Sequence, residues 1–135
     1  MNSSFRFRKK TDYGLVMMAL LARRGKGELM SVREMQELGL PRSFLVKIAK
    51  SLIDAKIVAA KEGRGGGYFL NKDPKSINLR TVIEALEGKV GTASCVHGVK
   101  CPMYDKCPHR ILMGVLSSEL SDVLERHTVA DLAKG

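Results

Sequence analysis

The chain has 135 residues, of which 23 are lysine or arginine and 14 are aspartate or glutamate, so its formal net charge is +9. This length suits one domain with an appendage and is too short for two domains with comfortable cores. The basic excess indicates a phosphate-bearing partner such as nucleic acid. The apolar stretch at residues 15–22 is too short to cross a bilayer and no small-residue cleavage site follows it, so we expect a cytoplasmic protein without a membrane partner.

The positive charge is clustered along the chain. Residues 1–10 contain four basic residues and no acid, and residues 42–64 contain six basic residues against Asp54 and Glu62. Basic residues on an ordinary solvated surface are not expected to cluster, whereas the basic residues of a nucleic-acid-binding face are. The clustering therefore favours DNA or RNA as the partner.

The first apolar segment predicts a buried helix that begins near residue 11. Thr11 or Asp12 is expected to cap the free amides of its first turn, and Gly25 stands where the helix can end in a left-handed conformation. Ser31 and Glu34 then fit the capping-box pattern that opens a short second helix.

A helix-turn-helix is predicted from the next segment. Gly39 ends the short helix, and Leu40 and Pro41 begin a third one, because proline is tolerated in a first helical turn. Two helices joined by a short turn that contains glycine are typical of DNA-binding proteins whose second helix enters the major groove. The face of the third helix opposite its apolar residues carries Arg42, Ser43, Lys47 and Lys50.

A hairpin wing follows the third helix. Residues 57–61 and 68–70 are short strand-like runs that bracket the glycine-rich residues 62–67. Glycines there allow a close approach of backbone amides to sugar-phosphate, and Arg64 can enter a minor groove. A nucleotide-binding loop is disfavoured, because such a loop leads into a helix and this one leads into a strand.

Two more helices follow the wing. Asn78 is expected to cap a helix over residues 79–87, which Gly88 ends. A last helix from Arg110 to His127 places apolar side chains on one stripe, namely Leu112, Val115, Leu116, Leu120, Val123 and Leu124. The stripe either folds back on its own domain or pairs with a second copy. We expect a homodimer, because the small domain already has enough helices for its core.

Three cysteines, Cys95, Cys101 and Cys107, form a C-x5-C-x5-C segment between these two helices. Thiolates are the ligands that zinc and iron–sulfur clusters select, and three of them so close in sequence can hold one centre with a fourth ligand from elsewhere. A disulfide framework is disfavoured by the odd number of cysteines. The glycines, prolines and lysines around them offer no apolar core in which thiols would simply be buried.

Two alternatives use the same cysteines. Zinc held by the three thiolates and His109, or thiols that respond directly to oxidants, would give a regulator without a cluster. A cysteine enzyme that pairs Cys101 or Cys107 with His97 or His109 is disfavoured, since no motif orients a base on the nucleophile. We therefore expect a DNA-binding protein that is not an enzyme and has no small-molecule substrate.

Several motifs together resemble one family, the winged-helix transcription regulators that carry an iron–sulfur cluster. The family is typified by the iron–sulfur-assembly regulator and the nitric-oxide-sensing repressor, and the resemblance covers nearly the whole chain. The motifs that carry it are residues 11–15, residues 43–48, residues 63–68, the three-cysteine segment and residues 129–132.

The resemblance implies a homodimer whose long C-terminal helices cross and whose cluster, 2Fe–2S or 4Fe–4S, is coupled to DNA affinity. In the assembly-regulator branch a histidine three residues after the last cysteine completes the site, but Arg110 stands there in this chain. In the nitric-oxide branch the ligand can be an aspartate early in the first helix of the other subunit, and Asp12 matches that place. The expected fourth ligand is therefore Asp12, followed by His109 and then His97.

The resemblance also bears on the DNA contacts. Val46 stands where the assembly-regulator branch often has glutamate, so the reading helix is closer to the nitric-oxide branch. Glu62 replaces the arginine that often precedes the first wing glycine, so either Lys61 or Arg64 takes over the minor-groove contact or the wing contributes less to specificity. The predicted DNA-binding residues are Arg33, Arg42, Ser43, Phe44, Val46, Lys47, Lys50, Lys61, Arg64, Gly65 and Gly66, which would face a palindromic double-stranded operator.

The predicted fold is mainly α with a small β-hairpin wing. Residues 1–90 are expected to form a winged helix-turn-helix DNA-binding domain, residues 91–109 a cluster-binding loop, and residues 110–135 a dimerisation helix with a C-terminal tail. The predicted function is a transcriptional repressor whose DNA affinity is controlled by an iron–sulfur cluster that senses nitric oxide, redox state or cluster supply.

Overall fold

A computed structural model describes residues 5–135, so the first four residues of the predicted DNA-binding domain lie outside it. The described chain is mainly helical and has one antiparallel hairpin, which confirms the predicted fold class. The elements are α1 (Lys9–Arg24), α2 (Val32–Glu37), α3 (Arg42–Asp54), β1 (Val58–Lys61), β2 (Gly67–Leu70), α4 (Leu79–Glu87), α5 (Arg110–Arg126) and α6 (Val129–Ala133). Short 3-10 turns lie at Pro74–Ser76, Ser94–His97 and Tyr104–Lys106.

The hydrophobic core lies where α1, α3, α4 and α6 meet the hairpin. Gly14 in α1 allows a close approach of α4, since a Cβ at that position would stand 2.4 Å from a Leu86 methyl. The largest fully buried side chains of the core are Met17, Met18, Leu21, Met35, Leu45, Ile48, Leu52, Ile57, Val58, Leu70, Val82 and Val129.

Local capping signals explain where α2 and α4 begin. The Ser31 hydroxyl accepts a hydrogen bond from the Glu34 amide at 3.1 Å while the Glu34 carboxylate accepts from the Ser31 amide at 2.8 Å, which confirms the predicted capping box. The Asn78 side chain likewise accepts from the Thr81 amide at 2.9 Å. Each of these side chains satisfies an amide that the first turn leaves free.

The predicted cap of α1 is wrong. The helix begins at Lys9, so Thr11 and Asp12 lie within its first turn, and Arg8 occupies the capping position without a side-chain hydrogen bond. The Arg8 amide instead donates at 2.6 Å to the carboxylate of Glu87, the last residue of α4. A distant partner therefore satisfies this helix end, and sequence spacing alone does not reveal it.

The reading head (residues 9–87) includes the wing, and backbone hydrogen bonds join the wing to the residues just before α2. Strand β1 pairs with β2 in the register Val58 with Leu70 and Lys61 with Gly67. The backbone of Tyr68 in β2 also exchanges two hydrogen bonds of 2.9 Å with Met30, just before α2. A Cβ on Gly67 would stand 2.3 Å from the Met30 carbonyl oxygen, so only glycine fits this contact.

Helix α5 follows the predicted boundaries, but most of its apolar stripe is exposed. Leu112, Val115, Leu116 and Val123 have exposed fractions of 54%, 46%, 39% and 40%. Among the described residues no helix is both long and apolar enough to span a membrane.

Helix α6 returns to the head and packs against α1. Two backbone hydrogen bonds of 2.9 Å fix this return, from Leu79 to the His127 carbonyl and from Val129 to the Ile77 carbonyl. Val129 is completely buried. The end of the chain thus completes the core that the first helices begin.

Candidate DNA-binding face and cysteine centre

Helix α3 presents a polar, basic face to solvent. Leu45, Ile48, Ala49 and Leu52 turn inward and are buried, which orients the opposite face outward. That outer face carries five of the predicted DNA contacts, all exposed: Arg42, Ser43, Val46, Lys47 and Lys50. Val46 is 63% exposed and is the apolar member of the set. The arrangement suits a helix that lies in a major groove, where lysine and arginine meet phosphates or bases and an apolar side chain meets a thymine methyl.

Phe44 differs from the other predicted contacts because it is turned partly inward. Its ring lies 4.9 Å from the ring of Tyr13, at an interplanar angle of 53°. Such a tilted aromatic pair stabilises the packing of α1 on α3. The structure therefore places Phe44 as a support of the reading helix, between the first helix and the exposed row.

The wing and α2 form the flank of the same region. A cleft of about 450 Å³ is lined by Arg33 of α2 and by Lys61, Glu62 and Gly66 of the wing, which brings three of the predicted contacts together. Arg33 already pairs with Glu37 at 3.2 Å, but both side chains are largely exposed, so the pair is weak and DNA phosphate can compete for the arginine.

Arg64 and Gly65 lie exposed at the wing tip, beyond this cleft. The φ angles of Gly63 and Gly65, +88° and +71°, are left-handed and make the tight turn possible. The tip therefore projects a basic side chain away from the head.

A second ion pair positions α2. The Arg24 guanidinium donates to the Glu34 carboxylate at 2.9 Å and also to the Leu29 carbonyl at 2.8 Å. The Arg24 hydrogen bond, followed by the bond from the Ser31 amide, lowers the pKa of Glu34 below its ordinary value of 4.5. The capping box and this ion pair thus share one carboxylate, which is charged at neutral pH.

The three cysteines surround one cavity. Cys95 and Cys107 are half-buried, Cys101 is exposed, and all three are free thiols. They line a mostly apolar space of about 220 Å³ together with Ala93, Ser94, Val99, Tyr104, His109 and Arg110. This donor set suits a soft metal, because thiolates and imidazole are the ligands that such metals prefer.

The three thiols and the His109 imidazole line this cavity but do not form a closed ligand set. No group of three cysteine, histidine, aspartate or glutamate side chains is arranged to hold a metal ion within residues 5–135. The Cys107 Sγ and the His109 Nδ1 lie 3.7 Å apart. The residues fit an iron–sulfur centre in kind, because three thiols and an imidazole line the same cavity.

The other two candidate ligands lie elsewhere in the same chain. Asp12 is exposed on α1 beside Arg8 and Lys9, away from the cysteine cavity. His97 turns toward Gly91 and lines a polar cavity between α4 and α5. Of the three proposed fourth ligands, only His109 stands with the thiols of its own chain.

Arg110 also lies at this site, and its contacts there were not predicted from the sequence. Its guanidinium carbon lies 4.3 Å from the centre of the Tyr104 ring, and its Nε is buried without a hydrogen-bond partner in the described chain. A buried donor without a partner costs about 1–3 kcal/mol, so such groups are rare. In the sequence, Arg110 is notable only because it replaces the histidine of the assembly-regulator branch, and no pattern there predicts its contact with Tyr104.

Comparison with known families shows where this combination of winged head and cysteine loop belongs. The family model Rrf2, described as an iron-dependent transcriptional regulator, matches residues 7–135. The chain belongs to the Rrf2 family. It is therefore a DNA-binding transcriptional regulator and not an enzyme, as predicted.

Two curated Rrf2 relatives represent the two branches considered above. The chain is 34% identical over 116 residues to the HTH-type transcriptional regulator IscR of Vibrio campbellii, covering 86% of this chain and 68% of that protein. It is 28% identical over 127 residues to the HTH-type transcriptional regulator NsrR of Bacillus subtilis, covering 92% of this chain and 87% of that one.

A solved structure gives a third comparison. CymR, described as the global cysteine regulator of Bacillus subtilis, superposes with a TM-score of 0.77 at 25% identity and covers 96% of this chain and 97% of its own. The chain thus shares its fold with a solved regulator over nearly its whole length.

Proposed function

We propose that this protein is a homodimeric transcriptional repressor whose affinity for DNA is controlled by an iron–sulfur centre held by Cys95, Cys101 and Cys107. The observation that carries the proposal is the single cavity that these three free thiols line. Nitric oxide, redox state and cluster supply are the candidate signals, since each alters such a centre. The division into a DNA-binding domain, a cluster-binding loop and a dimerisation helix belongs to the same proposal.

DNA reading is assigned to the exposed row of α3 and to the wing. Arg42, Lys47 and Lys50 supply charge for phosphates, Ser43 and Val46 face the base edges, and Arg64 with Gly65 reaches a neighbouring minor groove. Because helix-turn-helix dimers read two half-sites one helical turn apart, the proposed operator is palindromic. Lys47→Ala should weaken binding to all sequences and lower its salt dependence, whereas Val46→Ala should mainly change the preferred bases.

The exposed stripe of α5 is assigned to the dimer interface. Leu112, Val115 and Leu116 are too exposed to contribute to the core of their own chain. A row of large apolar side chains in water is unfavourable, and a second copy would cover it with the same row. Pairing through α5 would also bring the cysteine loop of one subunit near the other subunit, which is the arrangement that Asp12 ligation requires.

An anaerobic preparation tests the centre directly. We expect visible absorbance with about equal amounts of iron and acid-labile sulfide, and tight operator binding in one state of the centre only. Cys101→Ser should lose the absorbance, the iron and the change in DNA affinity, while keeping the wild-type circular dichroism. A Cys101→Ser protein with unaltered metal content and DNA response would contradict the proposal.

Subunit mixing tests the ligand role of Asp12. A heterodimer of one Asp12→Ala subunit and one Cys101→Ser subunit contains one intact site if Asp12 acts across the interface, and none if it acts within its own chain. We therefore expect the heterodimer to recover about half of the wild-type spectrum, while each mutant homodimer shows an altered spectrum or none. A heterodimer without any wild-type component would exclude cross-subunit ligation.

The second candidate function is a thiol or zinc regulator without a cluster. One observation favours it, namely the proximity of the Cys107 sulfur to His109, 3.7 Å from the imidazole nitrogen. In that case the anaerobic protein would be colourless and would either contain zinc or respond to peroxide through Cys101, the most exposed thiol.

A further inference from the structure

The guanidinium of Arg110 has an unusual environment for a charged side chain. It stacks on the Tyr104 ring at 4.3 Å, and both residues line the cysteine cavity. Stacking on an aromatic face fixes the plane of the guanidinium and leaves its in-plane N–H groups available to donate hydrogen bonds. The Nε in particular is buried and has no hydrogen-bond partner within residues 5–135.

The walls of the cavity contain little that could satisfy this donor. Ala93, Val99 and the face of Tyr104 are apolar. The acceptors that line the cavity are on Ser94, His109 and the three cysteines, and none of them is hydrogen-bonded to the Arg110 Nε. In such surroundings a hydrogen bond to a negatively charged acceptor is stronger than in water, because the local dielectric constant is low. The missing partner is therefore expected to be an anionic group within the cavity itself.

We infer that Arg110 is a positioning residue that donates a hydrogen bond to a thiolate or sulfide sulfur of the centre held there, and thereby raises its reduction potential. The inference rests on the proposed function and adds to it. One-electron reduction adds a negative charge to the centre and breaks no bond. A fixed positive donor stabilises the reduced state more than the oxidised one, because the extra charge is delocalised onto the sulfur atoms.

The chain offers a matched control for charge alone. The Lys100 ammonium also lies over the Tyr104 ring, at 5.5 Å, but Lys100 is exposed and does not line the cavity. Lys100→Gln therefore removes one positive charge near the same ring without removing a buried donor. Arg110→Gln removes both the charge and the Nε donor, and Arg110→Lys keeps the charge without the planar donor group.

The experiment compares these three full-length variants with the wild type after anaerobic reconstitution with iron and sulfide. Iron and sulfide contents are measured first, and then each sample is titrated with dithionite while its visible absorbance is followed. We expect Arg110→Gln to disfavour reduction about tenfold, which is about 59 mV for one electron. Arg110→Lys should show a smaller shift in the same direction, and Lys100→Gln should stay near the wild-type potential.

Resonance Raman spectra give an independent readout of the hydrogen bond. The iron–sulfur stretching bands should shift on exchange into deuterated water in the wild type and in Lys100→Gln, and this shift should be reduced in both Arg110 variants. A merely structural role of Arg110 would lower the thermal stability without moving the potential or the isotope shift.

The outcomes separate the inference from the proposed function. Fully loaded Arg110 variants with the wild-type potential and isotope shift would overturn the inference alone. Loss of iron from both Arg110 variants would assign the residue to retention of the centre and would likewise overturn it. A wild-type protein that assembles neither iron nor sulfide would overturn the proposed function together with the inference.

Discussion

The reading head (residues 9–87) and the cysteine arm (residues 91–126) are built in opposite ways. In the head, large apolar side chains are completely buried and the starts of α2 and α4 are capped by their own neighbours. In the arm, the 3-10 turns bury no residue, and the buried residues of α5 are Ser117, Ser121 and Leu124. The head is completed by its own chain, whereas the arm leaves thiols and an apolar helix face for partners from outside it.

The largest expected effect comes from making the same substitution in both regions. Leu52→Ala removes a completely buried side chain of the head and should lower the free energy of unfolding by about 2–5 kcal/mol. Leu112→Ala alters a side chain that is 54% exposed, so in the monomer it should cost no more than about 0.5 kcal/mol. Urea unfolding at several protein concentrations measures both. If the arm pairs with a second copy, only Leu112→Ala should show a cost that changes with concentration.

Glycine substitutions give the next largest contrast. Gly67→Ala places a Cβ 2.3 Å from the Met30 carbonyl oxygen, so backbone must move, and we expect a loss of about 1–3 kcal/mol with weaker DNA binding. Gly114→Ala, inside α5, meets no atom within 4 Å and should be neutral or stabilise the protein by up to about 1 kcal/mol. Thermal unfolding and operator titrations measure these effects. Equal losses in both variants would show that the arm is packed as tightly as the head.

A smaller contrast is expected at the helix starts. Asn78→Ala removes the cap of α4 and should cost about 1 kcal/mol. His109 occupies the same position at the start of α5 without a side-chain hydrogen bond to the first turn, so His109→Ala in metal-free protein should cost clearly less. Chemical denaturation of the metal-free variants measures the difference. A cost at His109 equal to that at Asn78 would contradict the view that the arm starts uncapped.

The smallest expected effect is the pH dependence contributed by Glu34. The Arg24 hydrogen bond lowers the pKa of this carboxyl, so its stabilisation is present above the ordinary value of 4.5 and is lost as the pH falls through the lowered pKa. Wild type should therefore unfold at a higher temperature than Glu34→Gln at neutral pH, and the two melting curves should converge in acid. A difference that persists at the lowest pH would assign the effect to packing.

The sequence predicted the head better than the arm for physical reasons. Ser31, Asn78 and the wing glycines act on residues within a few positions, so their patterns are readable in one dimension. The start of α1 was mispredicted because its partner, Glu87, lies almost at the other end of the head in sequence. The contact between Phe44 and Tyr13 was missed for the same reason, since it joins two helices.

The cysteine site was only partly predictable. The residue types and their even spacing indicated a soft-metal centre, because that chemistry depends on composition. The common cavity and the position of Arg110 over Tyr104 depend on the path of an irregular loop, which has no periodicity to read. Asp12 and His97 lie apart from the thiols of their own chain, so the fourth ligand remains part of the proposal.

The return of α6 to the head limits how this protein can be shortened. Arg23 of α1 donates to the carbonyl groups of Ala133 and Gly135, and Val129 is completely buried. A truncation meant to remove α5 from the C-terminal end would therefore also remove a piece of the head's core. Expression of an isolated reading head thus calls for an internal deletion that keeps α6.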